Sequence, residues 1–287
     1  MSITSKTYVD TALGLVQDFW SPIFEKELRE NTLWAGLLND PNYTMERIKG
    51  GDTIKISKIN KPSSSIRTIG TNADSFDTNV LDSTQSDLVV NRRAVSAYEF
   101  EDLSVLMSQL EQQDSEIREA LLADVREQIN DHIKSLISPS SATPDHITAS
   151  VTDFNLAQLS ATRTLAATAK WGMAEPWYLL ASPSYYSDML DDTTLAGAES
   201  MGIGSSPILE GRFVMKRMGF NIIEDNSLGT DTAYAFIPSF MKVIMGAPRF
   251  KISDLHAQKK FGYVLSVDMP CGAVQLDDER VIKVYNS

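Results

Sequence analysis

Apolar residues recur along the chain at helical spacing in some stretches and at strand spacing in others. Leu13, Leu15, Val16, Phe19 and Trp20 lead to Ser21-Pro22, a helix start with proline at the first helical position. Phe24, Leu28, Leu33, Trp34, Leu37 and Leu38 follow at intervals that give one apolar helical face. Two tryptophans and two phenylalanines are a large apolar load for a terminal segment. Two readings stand side by side: a helix packed on its own domain, or an arm docked on a neighbouring subunit.

Gly50-Gly51-Asp52 is a turn signal, and Thr53 to Ile59 (TIKISKI) reads as a strand with its three isoleucines expected on one face. After Pro62 the alternation disappears into Ser, Thr, Asn and Asp until Leu88-Val89-Val90. From there Val95, Ala97 and Phe100 mark a returning strand, expected to pair with the first. Roughly 25 residues lie between the two, and structureless loops longer than about 12–15 residues are uncommon in compact domains unless they are functional or disordered. The excursion needs something outside its own domain to lie on.

Helical spacing returns at Glu101-Asp102 and continues from Asp114. Ile117, Leu121, Val125, Ile129, Ile133 and Leu136 form one stripe, and residues 114–137 would span about 36 Å at 1.5 Å per residue. Pro139 stops this helix, and the Ser-, Thr- and Pro-rich stretch from Ser138 to Thr148 is the best candidate domain boundary. Beyond it the pattern predicts a mixed α/β region. Asp153 is the expected cap of a helix carrying Phe154, Leu156, Leu159 and Leu165. A buried strand follows at Trp177–Pro183, then a short helix at Tyr185–Leu190 and a Gly- and Ser-rich loop from Thr194 to Pro207. Strands are expected at Arg212–Met215, Gly219–Ile223 and Thr232–Ile237. Three short strands should close the chain, with turns at Met269-Pro270 and Asp277-Asp278.

Charge adds one constraint. The 287 residues carry a net −12 with a pI near 4.7, which disfavours binding nucleic acid by phosphate neutralisation. Nine acids between residues 101 and 131 face only Arg118 and Arg126, a net −7 on this one element. Any single acid there reads as part of a solvated helix face, but the concentration suggests a surface built to repel an anion. One cysteine, Cys271, excludes an intrachain disulfide and points to a reducing compartment. No apolar run approaches the length that spans a bilayer, and the first twenty residues lack the pattern of a secretory signal.

The chemical inventory is sparse. His132, His146 and His256 are scattered singly, without the spacing that puts two ligands on one helix face. Gly202-x-Gly204 has Pro207 where the third glycine of a dinucleotide fingerprint belongs, and neither a phosphate-cradling loop nor a hydrolase elbow occurs. No metal, cofactor or catalytic group is expected.

Taken in order, three stretches resemble the major capsid proteins of tailed bacteriophages. FWSPIFEKELRENTLWAGLLNDPNYTMERIKGGDTIKIS is similar to their N-terminal region, VSAYEFEDLSVLM to their strand running into an acidic helix start, and FGYVLSVDMPCGAVQLDDERVIKV to their closing strands. The resemblance implies an α+β fold of the Hong Kong 97 type. It divides the chain into an N-terminal arm (1–50), an extended β-hairpin loop (51–100), a peripheral domain with a long spine helix (101–139 and 246–287) and an axial α/β domain (140–245). It implies a non-enzymatic coat subunit of pentamers and hexamers, closing an icosahedral phage head around double-stranded DNA without sequence-specific binding, assembled in the host cytoplasm. Scaffolding, portal and decoration proteins are its implied further partners, and no membrane is involved. An encapsulin-like compartment shell is the alternative within the same fold, and an α/β enzyme with a mobile lid over residues 59–87 the alternative outside it.

On this reading the candidate intersubunit contacts are Phe19, Trp20, Trp34, Ile66, Arg67, Ile69, Arg92 and Arg93, the arginines for pairing with a neighbour's acidic spine. Arg67, Arg92 and Arg93 read equally as solvated side chains on a strand edge. Glu116, Glu119, Asp124 and Glu127 are the candidate acidic face toward the shell interior.

Overall fold

Six strands in the order β4-β12-β8-β5-β7-β6 make the largest sheet of the computed structural model. The model describes residues 32–38, 53–59, 62, 80–101, 114–172, 174–196, 215–258 and 261–286. In chain order the elements are α1 (Leu33–Leu38), β1 (Thr53–Ile59), β2 (Ser83–Val89), β3 (Arg92–Glu101), α2 (Asp114–Ser135), β4 (Ile147–Thr148), α3 (Leu156–Thr168), β5 (Trp177–Ala181), α4 (Pro183–Asp191) and α5 (Thr193–Ala196). Then come β6 (Met215–Arg217), β7 (Phe220–Glu224), β8 (Thr232–Phe236), β9 (Met241–Met245), β10 (Arg249–Asp254), β11 (Gly262–Gln275) and β12 (Val281–Tyr285). Helices and strands are mixed along the chain.

Two compact units are distinguished. The described part of one covers 95–101, 114–126, 248–258 and 261–268, and the remaining described residues form the other. In the larger unit the core is the six-stranded sheet with α3 and α4. Leu179, Ala181, Phe220, Ile222, Ala233, Ala235 and Ile282 bury fully against Phe154, Leu159, Ala166, Tyr185 and Met189. Trp171 and Trp177 meet edge to face at 5.6 Å, and each indole N–H finds a carbonyl, of Glu279 and Gly172 respectively. Partnering the polar tip removes the main cost of burying so large a ring.

The stripe on α2 behaves as its spacing requires. Leu121, Val125, Ile129 and Ile133 are buried, with Ile117 and Leu136 half-buried at the ends. Near its C-terminal end Lys134 Nζ donates to the Ser227 carbonyl at 2.6 Å and Asn130 Nδ2 to Ser227 Oγ at 3.2 Å, fixing the loop after β7.

Several expectations are corrected. Leu88 and Phe100 do not share a strand. The partner of β1 is β2, antiparallel from Thr53↔Val89 to Ile59↔Ser83, and the chain then breaks at Val90-Asn91 before β3 joins β11 in another sheet. Ile54 and Ile56 share the half-buried face of β1, whereas Ile59 lies at odd spacing and points to solvent, because side chains alternate with period 2. Asn155, not Asp153, caps α3: its extended backbone lets Oδ1 accept from the N–H groups of Ala157 and Gln158. That leaves Phe154 outside the helix as a fully buried plug.

Met269-Pro270 is not a turn. β11 runs unbroken through it because its partner changes there, from β10 up to Asp268 to β9 from Cys271 onward. Where the ladder changes partner, the missing proline N–H costs little, and the Pro270 carbonyl still accepts from Gly246 N at 2.8 Å. The Ser138–Thr148 stretch is pinned to the closing strands. Ser138 and Gln275 exchange two hydrogen bonds, Ser140 N donates to Asp278 O, and β4 pairs in parallel with β12. Thr194–Ala196 belong to α5, and the rest of the expected Gly- and Ser-rich loop, like the helical residues expected at 102–113, lies outside the described residues. The strand expected at Arg212–Met215 is described only as β6, which starts at Met215.

Candidate assembly surface

A two-stranded ribbon is marginal in water unless one face is packed, and the inner half of the β1–β2 hairpin is. Ile54 and Ile56 lie with buried Leu88 and Val90 against Ile244 of β9 and Val274 of β11. The approach is close enough to require glycine. A Cβ on Gly272 would stand 2.5 Å from the Val89 carbonyl oxygen, far inside contact distance. Beyond Ile56 the packing ends. Ile59 is 68% exposed, Val80 93% and Leu81 76%, apolar side chains left uncovered at the outer end of the described ladder.

A polar tie reaches this outer half. Lys58 Nζ lies 2.6 Å from Asp277 Oδ2, in the turn between β11 and β12, and Arg280 Nε approaches the same oxygen at 3.1 Å. Just past the hairpin, Arg92 and Arg93 are exposed on β3. Burial first and the Arg92 charge second hold the His132 imidazole below its ordinary value. Burial raises the Cys271 thiol, and Arg92 partly opposes that rise. Cys271 is thus a buried strand residue, opposite Met245.

Of the other candidate contacts, Phe19, Trp20, Ile66, Arg67 and Ile69 lie outside the described residues. Trp34 has no exposed surface: it stacks on Phe236 at 5.0 Å and meets Tyr234 edge-on at 5.5 Å. The described part of the N-terminal segment therefore packs on its own subunit, the first of its two readings.

At 100° per residue, Glu116, Glu119, Asp124 and Glu127 fall within about 140° of the α2 circumference, opposite the apolar stripe. Glu119 and Asp124 are exposed, whereas Glu116 and Glu127 are half-buried and Glu116 Oε2 is closed to solvent.

In the smaller unit, β10 pairs with β11 from Arg249↔Asp268 to Asp254↔Tyr263. Phe250 lies under the Arg118 guanidinium at 5.4 Å, and Arg249 pairs with nearly buried Asp268 at 2.6 Å. Tyr98, Ile252 and Phe261 are exposed there, with Phe100 and Tyr263 in ring contact at 5.2 Å. β10 was missed from the sequence, although Phe250-Lys251-Ile252-Ser253 carries the period-2 signal that would have found it. The Lys58–Asp277 tie could not be found, because it joins residues 219 apart.

The larger unit also carries an open pocket of about 340 Å³ lined by Arg163, Glu175, Trp177 and Met218. Among the described residues no group of three His, Cys, Asp or Glu could hold a metal ion, and no helix is long and apolar enough to cross a membrane.

Neither a protein-family model nor a curated protein sequence matches the chain. Solved structures do match along nearly its full length. A chain of the Cyanophage Pam1 capsid asymmetric unit superposes with TM-score 0.73 at 13% identity, over 94% of this chain and 96% of that chain. A chain from Mycobacterium phage Che8 gives 0.71 at 16%, over 94% and 96%. A chain of the capsid structure of the Cyanophage P-SCSP1u gives 0.69 at 16%, over 96% and 94%. With so little identity, likeness over whole chains speaks to architecture: this chain has a fold found in phage capsids.

Proposed function

We propose that the chain is the major capsid protein of a tailed phage, with the Hong Kong 97-type fold, a structural subunit of the virion that assembles with copies of itself into pentamers and hexamers of an icosahedral head around double-stranded DNA. The observation that carries this reading is the hairpin. Its inner half packs on its own subunit, while Ile59, Val80 and Leu81 stand uncovered at its outer end. Apolar side chains at the outer end of a polar ribbon gain burial from a partner, and a stable interface needs on the order of 1,200–2,000 Å² in total. The likeness to phage capsid chains over 94% or more of the sequence supports a second copy as that partner.

The remaining assignments follow the same reading. On this proposal residues 101–139 and 246–287 are assigned to the peripheral domain with α2 as its spine, residues 140–245 to the axial domain, residues 51–100 to the extended loop and residues 1–50 to the arm, with β12 the stretch that instead joins the sheet of the axial residues. Arg92 and Arg93, exposed beside the hairpin, are assigned to contacts with a neighbour's acidic spine. The test is to concentrate the purified full chain and image it: closed particles of icosahedral symmetry are expected, and a chain that stays a single subunit at every concentration and salt overturns the proposal.

A further inference from the structure

Asp277 is a rigidly mounted carboxylate. Its own N–H and that of Leu276 donate to the carbonyl of fully buried Phe240, and its Oδ1 accepts from Glu279 N at 3.3 Å. Arg280, whose Nε reaches Oδ2, is itself anchored through Nη1 on Ser239 Oγ at 2.7 Å. Lys58, by contrast, stands on the part of the hairpin that has left the core. Its ladder partner is Thr84, and it lies two residues beyond Ile56, the last packed residue of β1. The ammonium is half exposed while the carboxylate is 11% exposed. A fixed, half-neutralised acceptor and a movable, hydrated donor make a contact that holds at low ionic strength and opens cheaply.

We propose that the Lys58–Asp277 ion pair is a latch: it holds the outer half of the hairpin on its own subunit before assembly and must open for the hairpin to pass to a second copy. The inference rests on the reading of the hairpin as an assembly element, but the latch itself is a property of the single subunit. Its strength is set by exposure. A partly exposed pair contributes little, so breaking it should raise the opening of the outer ladder by up to about fivefold. Salt near 1 M, where screening acts over about 3 Å, should do the same to the wild type.

The test is hydrogen exchange at the ladder amides of Ser57–Ile59 and Ser83–Gln85 in unassembled subunits. Lys58→Gln and Asp277→Asn should each raise exchange at low salt, and the double variant should do no more than either alone, since both remove one interaction. Because Asp277→Asn also touches the turn, Lys58→Gln supplies the clean arm, and Lys55→Gln, the same charge change elsewhere on β1, should leave exchange unchanged. In light scattering, Lys58→Gln should shorten the lag before particles form. Unchanged exchange in Lys58→Gln overturns the latch. Raised exchange with an unchanged lag overturns its role in assembly while leaving the hairpin's role standing. That role fails separately, if a chain lacking the loop still builds shells.

Discussion

Gly272 shows how much can depend on one missing methyl group. It lets β11 pass against the Val89 backbone at the root of the hairpin, and any Cβ there must displace either strand. Gly272→Ala should therefore loosen the β1–β2 ladder and lower the melting temperature, whereas Cys271→Ala next to it should leave assembly intact. Thermal melts and particle yields of the two variants side by side check the contrast. Asp192 acts differently: its Oδ2 accepts from Leu156 N at 2.9 Å and its Oδ1 from Thr194 N at 2.9 Å, tying the starts of α3 and α5. The Leu156 N–H, the largest influence, holds its carboxyl below the ordinary value, although burial pushes the other way. A carboxyl that binds its proton less tightly when folded contributes its stability above its unfolded-state pKa, and loses it as pH falls through the lower folded value. Asp192→Ala should cost about 1–2 kcal/mol at neutral pH, and the gap from wild type should close in acid. Denaturant titrations near neutrality and below the carboxylate range measure both.

Among the elements, α2 gives the sharpest contrast between faces. Ile129→Ala opens a cavity at a buried position and should cost about 2–5 kcal/mol, while Glu119→Gln on the exposed face should stay within about 0.5 kcal/mol. Denaturant melts of the two variants decide it. This helix was legible because its apolar residues repeat every three or four positions and its buried neighbours confirm that spacing. β5 and α4 were legible as a short apolar run followed by a short helix, although Pro183, expected at the end of the strand, opens the helix instead. The hairpin was legible only in part. Its first strand and its long polar excursion stand out, but Val90-Asn91, where the chain leaves one sheet for another, carries neither Gly nor Pro to mark the break. Pro270 misled in the opposite direction, because a proline that ordinarily ends a strand sits where the partner strand changes. Of the candidate surface, the acidic face could be read from composition. The exposed tip could not, since Ile59, Val80 and Leu81 look like any other apolar residues until the fold leaves them uncovered.

At the scale of the whole molecule the account turns on charge and on the hairpin. If the chain builds a DNA-filled shell as proposed, the net −7 between residues 101 and 131 should face its interior, where a repulsive wall screened within about a Debye length would let the DNA slide. A map of assembled particles checks this: Glu119, Asp124 and Glu127 should point inward, and an outward-facing set refutes it. The hairpin carries more of the argument, because a subunit that buried its own hairpin tip would have no need of neighbours. Since β2 begins at Ser83, the cut that spares the ladder replaces residues 61–81 with a short Gly-containing turn. The most direct measurement is imaging and size-exclusion chromatography of that variant beside the full chain, with circular dichroism to confirm that the subunit still folds. The account predicts unchanged dichroism, a cooperative melt and no closed particles; normal shells from the shortened chain would contradict it.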